Sequence, residues 1–274
     1  MKKSLLLGLS IVLVLSILLT GCGQQPGAAQ QSNAAVNDTL QRVMETKKLK
    51  VGVLPDYAPW GSRNAQGNFE GYDVDLAMLL GEALQVEVEV VPIEAPNRVP
   101  ALVSNKVDVI IACLTPTDER AKSVTFTIPY AAAGLVPMVN ADNTTINTYK
   151  DLAGKKVAVV RGGTPDLFTA AAVPEAELIR FDTIADAYTA FKTGKAEAFV
   201  EEDTFVFIEV KNNPQYKSVG EPFSTELISF AVKKNDIEWL NYLNNFLTNL
   251  RFTGKNAEVY EKWFGHAPKD LTLR

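Results

Sequence analysis

Hydrophobic and polar residues follow two different periods in the first half of the chain. Lys48 to Val53 and Val86 to Val91 alternate at every second residue, which is typical of half-buried strands. Between them, Asp73 to Leu84 carries apolar side chains at helical spacing. A short helical pattern, Asn97 to Ser104, precedes an apolar strand at Val107 to Ala112. The order strand, helix, strand, helix, strand predicts α/β winding with a largely parallel sheet.

A second unit of the same kind follows a cluster of turn residues at 141–144. Its predicted elements are strand Lys155 to Val160, helix Thr164 to Ala172, strand Glu177 to Phe181, helix Ile184 to Thr193 and strand Ala196 to Val200. A strand at Leu227 to Val232 and two helices end the chain. We therefore predict two α/β lobes, each a mainly parallel sheet flanked by helices, joined by two hinge crossings. Lobe 1 comprises residues 38–133 and 227–274, and lobe 2 comprises residues 134–226.

The N-terminal segment has the pattern of a secretory signal at residues 1–21. Two lysines precede an apolar run, Leu5 to Leu19, that is shorter than the roughly 20 residues needed to span a bilayer. The run ends in Leu19-Thr20-Gly21-Cys22, which resembles a bacterial lipobox. That resemblance implies acylation of Cys22, which would hold the protein on the outer face of the bacterial cell membrane. Residues 22–37 have the composition of a flexible tether.

Composition narrows the classes of function. The 274 residues include 27 Lys and Arg against 32 Asp and Glu, a net charge of -5 that argues against a nucleic-acid partner. Two cysteines and one histidine are too few for a Cys/His zinc cluster or a disulfide framework. We therefore expect neither metal chemistry nor a Ser-His-Asp triad.

Seven short motifs in a fixed order carry a resemblance to a known family. They are Val51 to Val53, Tyr57 to Trp60, Gly71 to Ala77, Asn97 to Leu102, Thr117 to Lys122, Phe126 to Tyr130 and Lys262 to Gly265. With this spacing the chain resembles the family 3 extracellular solute-binding proteins, the substrate-binding subunits of polar amino-acid ABC importers. The resemblance implies a two-lobed periplasmic-binding-protein fold of type II. It also implies a monomer without cofactor or catalysis, which binds an amino acid in the cleft, closes and docks on a membrane permease.

Three residues are implied by the resemblance to hold the ligand α-carboxylate. Arg120 would supply a planar fork for two parallel hydrogen bonds, although a solvated arginine at a charged helix start remains the alternative. Thr115, together with its backbone N–H, would add a second contact. Thr164 follows a Gly-Gly turn, and we expect it to be the N-cap of a helix whose first residue is Pro165. A helix N-terminus favours a carboxylate at this position.

The other implied contacts are aromatic or acidic. Tyr57 and Trp60 would form an aromatic wall, with plain packing as the alternative. Glu202 aligns with an aspartate that binds the ligand α-ammonium group in the family. Its side chain is longer than that of aspartate, which leaves this role open. A solvated carboxylate at a strand end is the alternative. Cys113 stands where serine is frequent, and it is either core or pocket lining.

Two positions bear on which amino acid is bound. Leu54 stands where cation-binding members of the family have aspartate, so a buried Lys or Arg ligand would lack a counter-charge there. Arg98 matches an arginine that contacts the side-chain carboxylate in relatives that bind glutamate or aspartate, and Arg161 could add a second positive charge. An Arg98 that serves only its own helix is the alternative. We therefore expect an acidic or neutral polar amino acid.

Two other functions stay open at this point. The same fold resembles cyclohexadienyl dehydratase, a secreted enzyme in which Glu202 could be imagined as a general acid. A lipoprotein sensor would share the binding site and differ only in its receptor. The pair Asp73 and Asp75 opens a predicted helix, where carboxylates interact favourably with the helix dipole, so we expect a structural role for both.

Overall fold

The computed structural model describes residues 38–271, which form two five-stranded sheets with flanking helices and one two-stranded sheet of Ser62–Arg63 and Phe69–Glu70. The helices are α1 Thr39–Thr46, α2 Tyr72–Leu84, α3 Arg98–Val103, α4 Asp118–Ala121, α5 Thr164–Ala172, α6 Ile184–Lys192, α7 Asp203–Asn212, α8 Ile237–Phe252 and α9 Lys255–Phe264. The strands are β1 Lys48–Val53, β2 Ser62–Arg63, β3 Phe69–Glu70, β4 Glu87–Pro92, β5 Val109–Ile110, β6 Val124–Ala133, β7 Leu135–Asn140, β8 Lys156–Val160, β9 Glu177–Phe181, β10 Ala198–Glu202, β11 Tyr216–Ser218 and β12 Glu226–Lys233. The signal sequence, the tether and Cys22 lie outside the described residues.

Both large sheets are mixed. The first has the order β4-β1-β5-β12-β6, in which β4, β1 and β5 are parallel while β12 runs antiparallel to its neighbours β5 and β6. The second has the order β11-β7-β10-β8-β9. In it β10, β8 and β9 are parallel, while β7 runs antiparallel to both of its neighbours, β10 and β11. The predicted two-lobed fold is confirmed, and the parallel pairing holds for the strands linked by helical crossovers. The remaining strand pairs are antiparallel, and they include β6, β7 and β12, the strands next to the two crossings between the sheets.

The pattern of buried and exposed residues explains strand β1, and the N-cap residues explain where the helices begin. In β1 the side chains of Lys48 and Lys50 are exposed while Leu49 and Val51 are fully buried. Polar residues or glycines occupy the N-cap positions of the helices. At the start of α6, for example, the side chain of Thr183 accepts a hydrogen bond from the Asp186 N–H. The alternating burial of β1 therefore sets which side of its sheet packs against the helices.

Two adjacent chain segments connect the sheets. Strand β6 ends at Ala133, and β7 begins after the single residue Gly134. The return segment leads into β12, whose first residue, Glu226, pairs with Ala133. A Cβ atom on Gly134 would lie 2.6 Å from the Ser224 carbonyl oxygen, so the two crossings approach too closely for a larger residue. These crossings are the expected hinge, and the exact lobe boundaries stay a prediction.

The described residues contain neither a membrane-spanning helix nor a cluster of metal-ligand side chains. No helix within residues 38–271 is long and apolar enough to cross a bilayer. Within the same range, no group of three or more His, Cys, Asp or Glu side chains is arranged to hold a metal ion.

Candidate functional site

A cleft between the two sheets contains a cavity of about 20 Å³. Its lining includes Leu54, Tyr57, Arg98 and Cys113 from the first sheet's side and Thr164, Ile184, Glu201 and Glu202 from the second. A space of this size holds roughly one water molecule. An amino acid is several times larger, so its entry requires the two sides of the cleft to move apart.

Arg120 lies at one end of this cleft and bridges its two sides. Helix α4 begins after Thr117, whose hydroxyl accepts a hydrogen bond from the Arg120 N–H at 3.2 Å. The guanidinium donates Nη1–H to the Thr115 carbonyl at 2.7 Å and Nη2–H to the Gly162 carbonyl, on the other side, at 2.9 Å. Burial, followed by the nearby Arg98 cation, lowers the pKa of Arg120 to about 9. Both acceptors are uncharged, so a ligand carboxylate in their place would give the guanidinium a charged partner.

Arg98 is buried and held rigidly on the wall of the cavity. Its Nε–H donates to the Ala95 carbonyl at 3.0 Å, and Nη1–H donates to the Ala112 and Cys113 carbonyls, each at 2.9 Å. Burial lowers its pKa, which the Cys113 and Glu202 groups oppose. The residue therefore holds its own loop and also places positive charge on the cavity wall, and its contact with a ligand side chain stays a prediction.

Two glutamates and a tyrosine meet on the lining of the cavity. The Tyr57 hydroxyl donates to the Glu202 carboxylate and lies 3.2 Å from Glu201 Oε1. Burial, and then the Glu202 charge, raise the pKa of Glu201 well above its usual range. Burial therefore favours the protonated form of Glu201 in this pair. The sequence resemblance marks only Glu202, which aligns with the family's aspartate, and the structure adds Glu201 to the cavity lining at the point where β10 turns directly into α7.

Thr115 and Thr164 both reach a carboxylate that was not predicted. The Thr115 hydroxyl donates to Glu226 Oε2 at 2.8 Å, and Ser224 donates to Glu226 Oε1 at 3.1 Å. Thr164 also hydrogen-bonds this carboxylate, which is 1% exposed. Glu226 opens β12 in a sequence pattern that indicates only a strand, so no motif marked it.

The predicted N-cap at Thr164 is wrong. Gly163 is the N-cap, Thr164 is the first residue of α5, and Pro165 is the second. Gly162 has a φ of 66°, and its N–H donates to the Asp166 carboxylate in the first turn at 3.1 Å. Because Asp166 reaches back to the turn, the hydroxyl of Thr164 is not needed as a cap and faces the cleft.

The two aromatic candidates have different surroundings. Tyr57 lines the cavity and stacks on Phe205, with ring centroids 5.5 Å apart. Trp60 is fully buried away from the cavity lining, against the rings of Tyr72, Tyr130 and Phe264. Its Nε1–H donates to Thr204 Oγ1 at 3.1 Å, so Trp60 joins the two sides of the cleft through this hydrogen bond.

Cys113 is a buried free thiol on the cavity wall. Its Sγ lies 3.9 Å from Glu202 Oε1, and its φ of 43° is unusual for a residue other than glycine. The Asp73 carboxylate supports this conformation, because it accepts the Cys113 N–H at 2.9 Å and the Tyr130 hydroxyl at 2.6 Å. Burial raises the pKa of Asp73 to about 7. Asp75 instead bonds Lys262 and Trp263 at the end of α9.

Arg161 lies outside the cavity lining. Its side chain is exposed, and Nε–H donates to Asp182 at 2.9 Å while Nη2–H donates to the Arg180 carbonyl at 3.3 Å. The side chain follows the edge of the second sheet rather than turning into the cleft, because Asp182 provides a charge partner there.

A buried cavity between two α/β units, lined by both, is the geometry of a two-lobed ligand-binding protein. The chain belongs to the bacterial extracellular solute-binding proteins, family 3, whose family model matches residues 49–266. It is a binding protein and not an enzyme.

Named relatives agree with this membership. The chain is 30% identical over 277 residues to the ABC transporter glutamine-binding protein GlnH of Bacillus subtilis, with 98% of this chain and 100% of the relative covered. A mutant of the arginine-binding protein ArgBP from T. maritima has a similar structure (TM-score 0.79, 34% identity, 83% of this chain and 100% of the other). So does the ancestral amino acid-binding protein AncCDT-1, a precursor of cyclohexadienyl dehydratase (TM-score 0.78, 34% identity, 82% and 99%).

Proposed function

We propose that this protein binds a polar amino acid with a neutral or acidic side chain and delivers it to the permease of an ABC importer. The observation that carries the proposal is the charge arrangement of the cleft, which holds the Arg120 guanidinium and the Glu202 carboxylate within electrostatic reach of each other. A zwitterionic amino acid offers a carboxylate and an ammonium group to match. Similar proteins are named for binding glutamine and arginine, which supports an amino-acid ligand.

The proposed binding site combines predicted residues with one addition. It contains Tyr57, Arg98, Cys113, Thr115, Arg120, Thr164 and Glu202, together with Glu201. Trp60 is left out because it packs in an aromatic cluster, and Arg161 because its exposed side chain pairs with Asp182. Arg120 and Thr164 would bind the α-carboxylate with Thr115, and Glu202 would bind the α-ammonium group.

Lobe closure is the proposed mechanism of delivery. Hydrogen bonds already span the cleft from Tyr57 to Glu202 and from Trp60 to Thr204, and Asp56 Oδ2 accepts the Ala185 N–H of α6 at 3.3 Å. A ligand that contacts both sides adds contacts only to the closed form, so it shifts the open-closed equilibrium toward that form. The permease would then dock on the closed, monomeric protein.

Ligand selectivity gives the first prediction. Glutamine, glutamate, asparagine or aspartate should stabilise the protein more than lysine or arginine, because Leu54 gives no counter-charge and Arg98 adds positive charge to the cavity wall. A thermal-shift panel of amino acids tests this, since a ligand at 100 times its Kd stabilises by about 2.7 kcal/mol. D-Glutamine is the matched control for the site's handedness. A clear preference for lysine or arginine in calorimetric titration contradicts the proposed selectivity.

Membrane anchoring gives the second prediction. We propose that Cys22 is acylated and that residues 22–37 tether the folded part to the outer face of the cell membrane. Cys22→Ala should therefore block acylation and stop lipobox-dependent cleavage, measured by fractionation and gel mobility. A Cys113→Ala variant controls for loss of a thiol that is not in the lipobox. Identical fractionation and mobility of Cys22→Ala and the parent would contradict the anchor.

A further inference from the structure

Glu226 is a buried carboxylate between the hinge and the cleft. It is the first residue of β12 and is 1% exposed. Ser224 donates to its Oε1 at 3.1 Å and itself accepts the Leu135 N–H at 2.9 Å, which ties Glu226 to both hinge crossings. On the cleft side, its Oε2 accepts the Thr115 hydroxyl at 2.8 Å. The carboxylate thus connects the hinge to the residues proposed to bind the ligand.

The hydrogen-bond donors around Glu226 are those that the ligand α-carboxylate would use. The Thr115 hydroxyl is engaged by Glu226, while the Thr115 carbonyl holds Arg120 at 2.7 Å. Thr164 hydrogen-bonds the same carboxylate. A ligand carboxylate at this end of the cleft would therefore compete with Glu226 for both hydroxyls and meet its negative charge.

We propose that Glu226 is a proton-linked positioning residue, which takes up a proton when a ligand carboxylate reaches Arg120, so that amino-acid binding strengthens as the pH falls. The inference rests on the proposed function. Once protonated, Glu226 can donate its O–H to the Thr115 oxygen. The single Thr115 proton is then free to be donated to the ligand, and the charge repulsion is removed.

The charged groups facing Glu226 determine the sign of this effect. Arg120 in α4 attracts its negative charge, while the carboxylate of Glu202 in β10 repels it. The Cys113 thiol, whose pKa is raised by burial, adds no charge. Burial, and then Glu202, raise the pKa of Glu226 to about 7, against hydrogen bonds from Thr164, Thr115 and Ser224. An ammonium group on Glu202 would lower this pKa, but the ligand carboxylate shares hydrogen-bond donors with Glu226 directly and therefore has the larger effect.

Linkage converts this charge effect into a measurable pH dependence. The bound ligand raises the pKa of Glu226, so the bound state holds more protons and affinity increases as the pH falls. A rise of about one unit from about 7 makes binding at pH 6 about five times tighter than at pH 8, with uptake of about 0.4 proton at pH 7. The dependence fades above the pKa of the bound state.

The test is calorimetric titration of the full chain with L-glutamine, whose side chain does not ionise, at pH 6, 7 and 8. At pH 7, two buffers with different ionisation enthalpies report the protons taken up. The parent should show the fivefold change and the proton uptake, whereas Glu226→Gln should bind with a pH dependence below twofold and no uptake. The exposed Glu175→Gln is the matched control and should behave as the parent.

Three results would overturn the inference. Binding by the parent without proton uptake excludes it, and uptake that persists in Glu226→Gln assigns the proton to another group, such as Asp73. If Glu226→Gln does not fold, Glu226→Asp should shift the pH midpoint of uptake, and an unchanged midpoint excludes the role. A parent that binds no amino acid at all contradicts the proposed function itself, and this inference falls with it.

Discussion

Replacing Arg120 by alanine is expected to weaken amino-acid binding by roughly 30-fold to several thousand-fold, measured by ligand titration. The guanidinium is held at the end of the cleft by the Thr115 and Gly162 carbonyls, so it is positioned for a carboxylate before the ligand arrives. Truncating one partner of a desolvated, hydrogen-bonded charge pair costs about 2–5 kcal/mol, which is the source of the expected range.

Two companion variants separate binding from folding in this experiment. Arg120→Lys keeps the charge but loses the two-pronged fork, so its affinity should lie between those of the parent and Arg120→Ala. Arg63→Ala removes an exposed arginine that stacks on Phe69 and should bind as the parent does. An Arg120→Ala protein that binds as tightly as the parent would show that Arg120 is only a surface charge. A much lower melting temperature of the unliganded variant would indicate a structural role.

Replacing Glu202 by glutamine is expected to reduce affinity by a similar factor, because the ligand ammonium group loses its charge partner in a buried site. The amide oxygen can still accept the Tyr57 hydroxyl, so the cleft wall keeps its shape. Glu202→Asp retains the charge on a shorter arm and should recover part of the affinity. Titration with L-glutamine measures all three proteins.

The neighbouring Glu201 provides the control for this variant. Burial and the neighbouring Glu202 raise its pKa well above its usual range, which favours the protonated form that glutamine resembles. Glu201→Gln should therefore cost less affinity than Glu202→Gln. A larger loss in Glu201→Gln would contradict the assignment of the ammonium contact to Glu202.

The alternating strands and helices of the two winding units could be predicted from the sequence, whereas β6, β7 and α7 and the pairing of half the strands could not. Apolar periodicity in segments such as β1 and α2 reflects local burial, and helical crossovers imply parallel neighbours. The antiparallel pairing of β12 with β6 joins residues about 100 positions apart, such as Ala133 and Glu226, and depends on both hinge crossings lying side by side. Nothing in either strand's own pattern specifies that neighbour.

The candidate site shows the same division between local and distant information. Motifs single out Arg120, Thr115 and Glu202 because each stands in a recognisable segment, and the structure brings these segments to one cleft. Glu226 and Asp73 act through contacts across the fold, with Thr115 and with the Cys113 N–H, that sequence spacing does not reveal. Arg161 and Trp60 stand in equally recognisable motifs, but a surface partner and an aromatic cluster hold them off the cavity.

A crystal structure of the protein grown with L-glutamine tests the central claim most directly. The account predicts the amino acid between the two lobes, with its α-carboxylate on Arg120 and Thr164 and its ammonium group on Glu202. The cavity should be larger than the present 20 Å³ and still be enclosed by both lobes. Glutamine bound elsewhere on the protein, or bound in the cleft with its two charged groups reversed, would contradict the account.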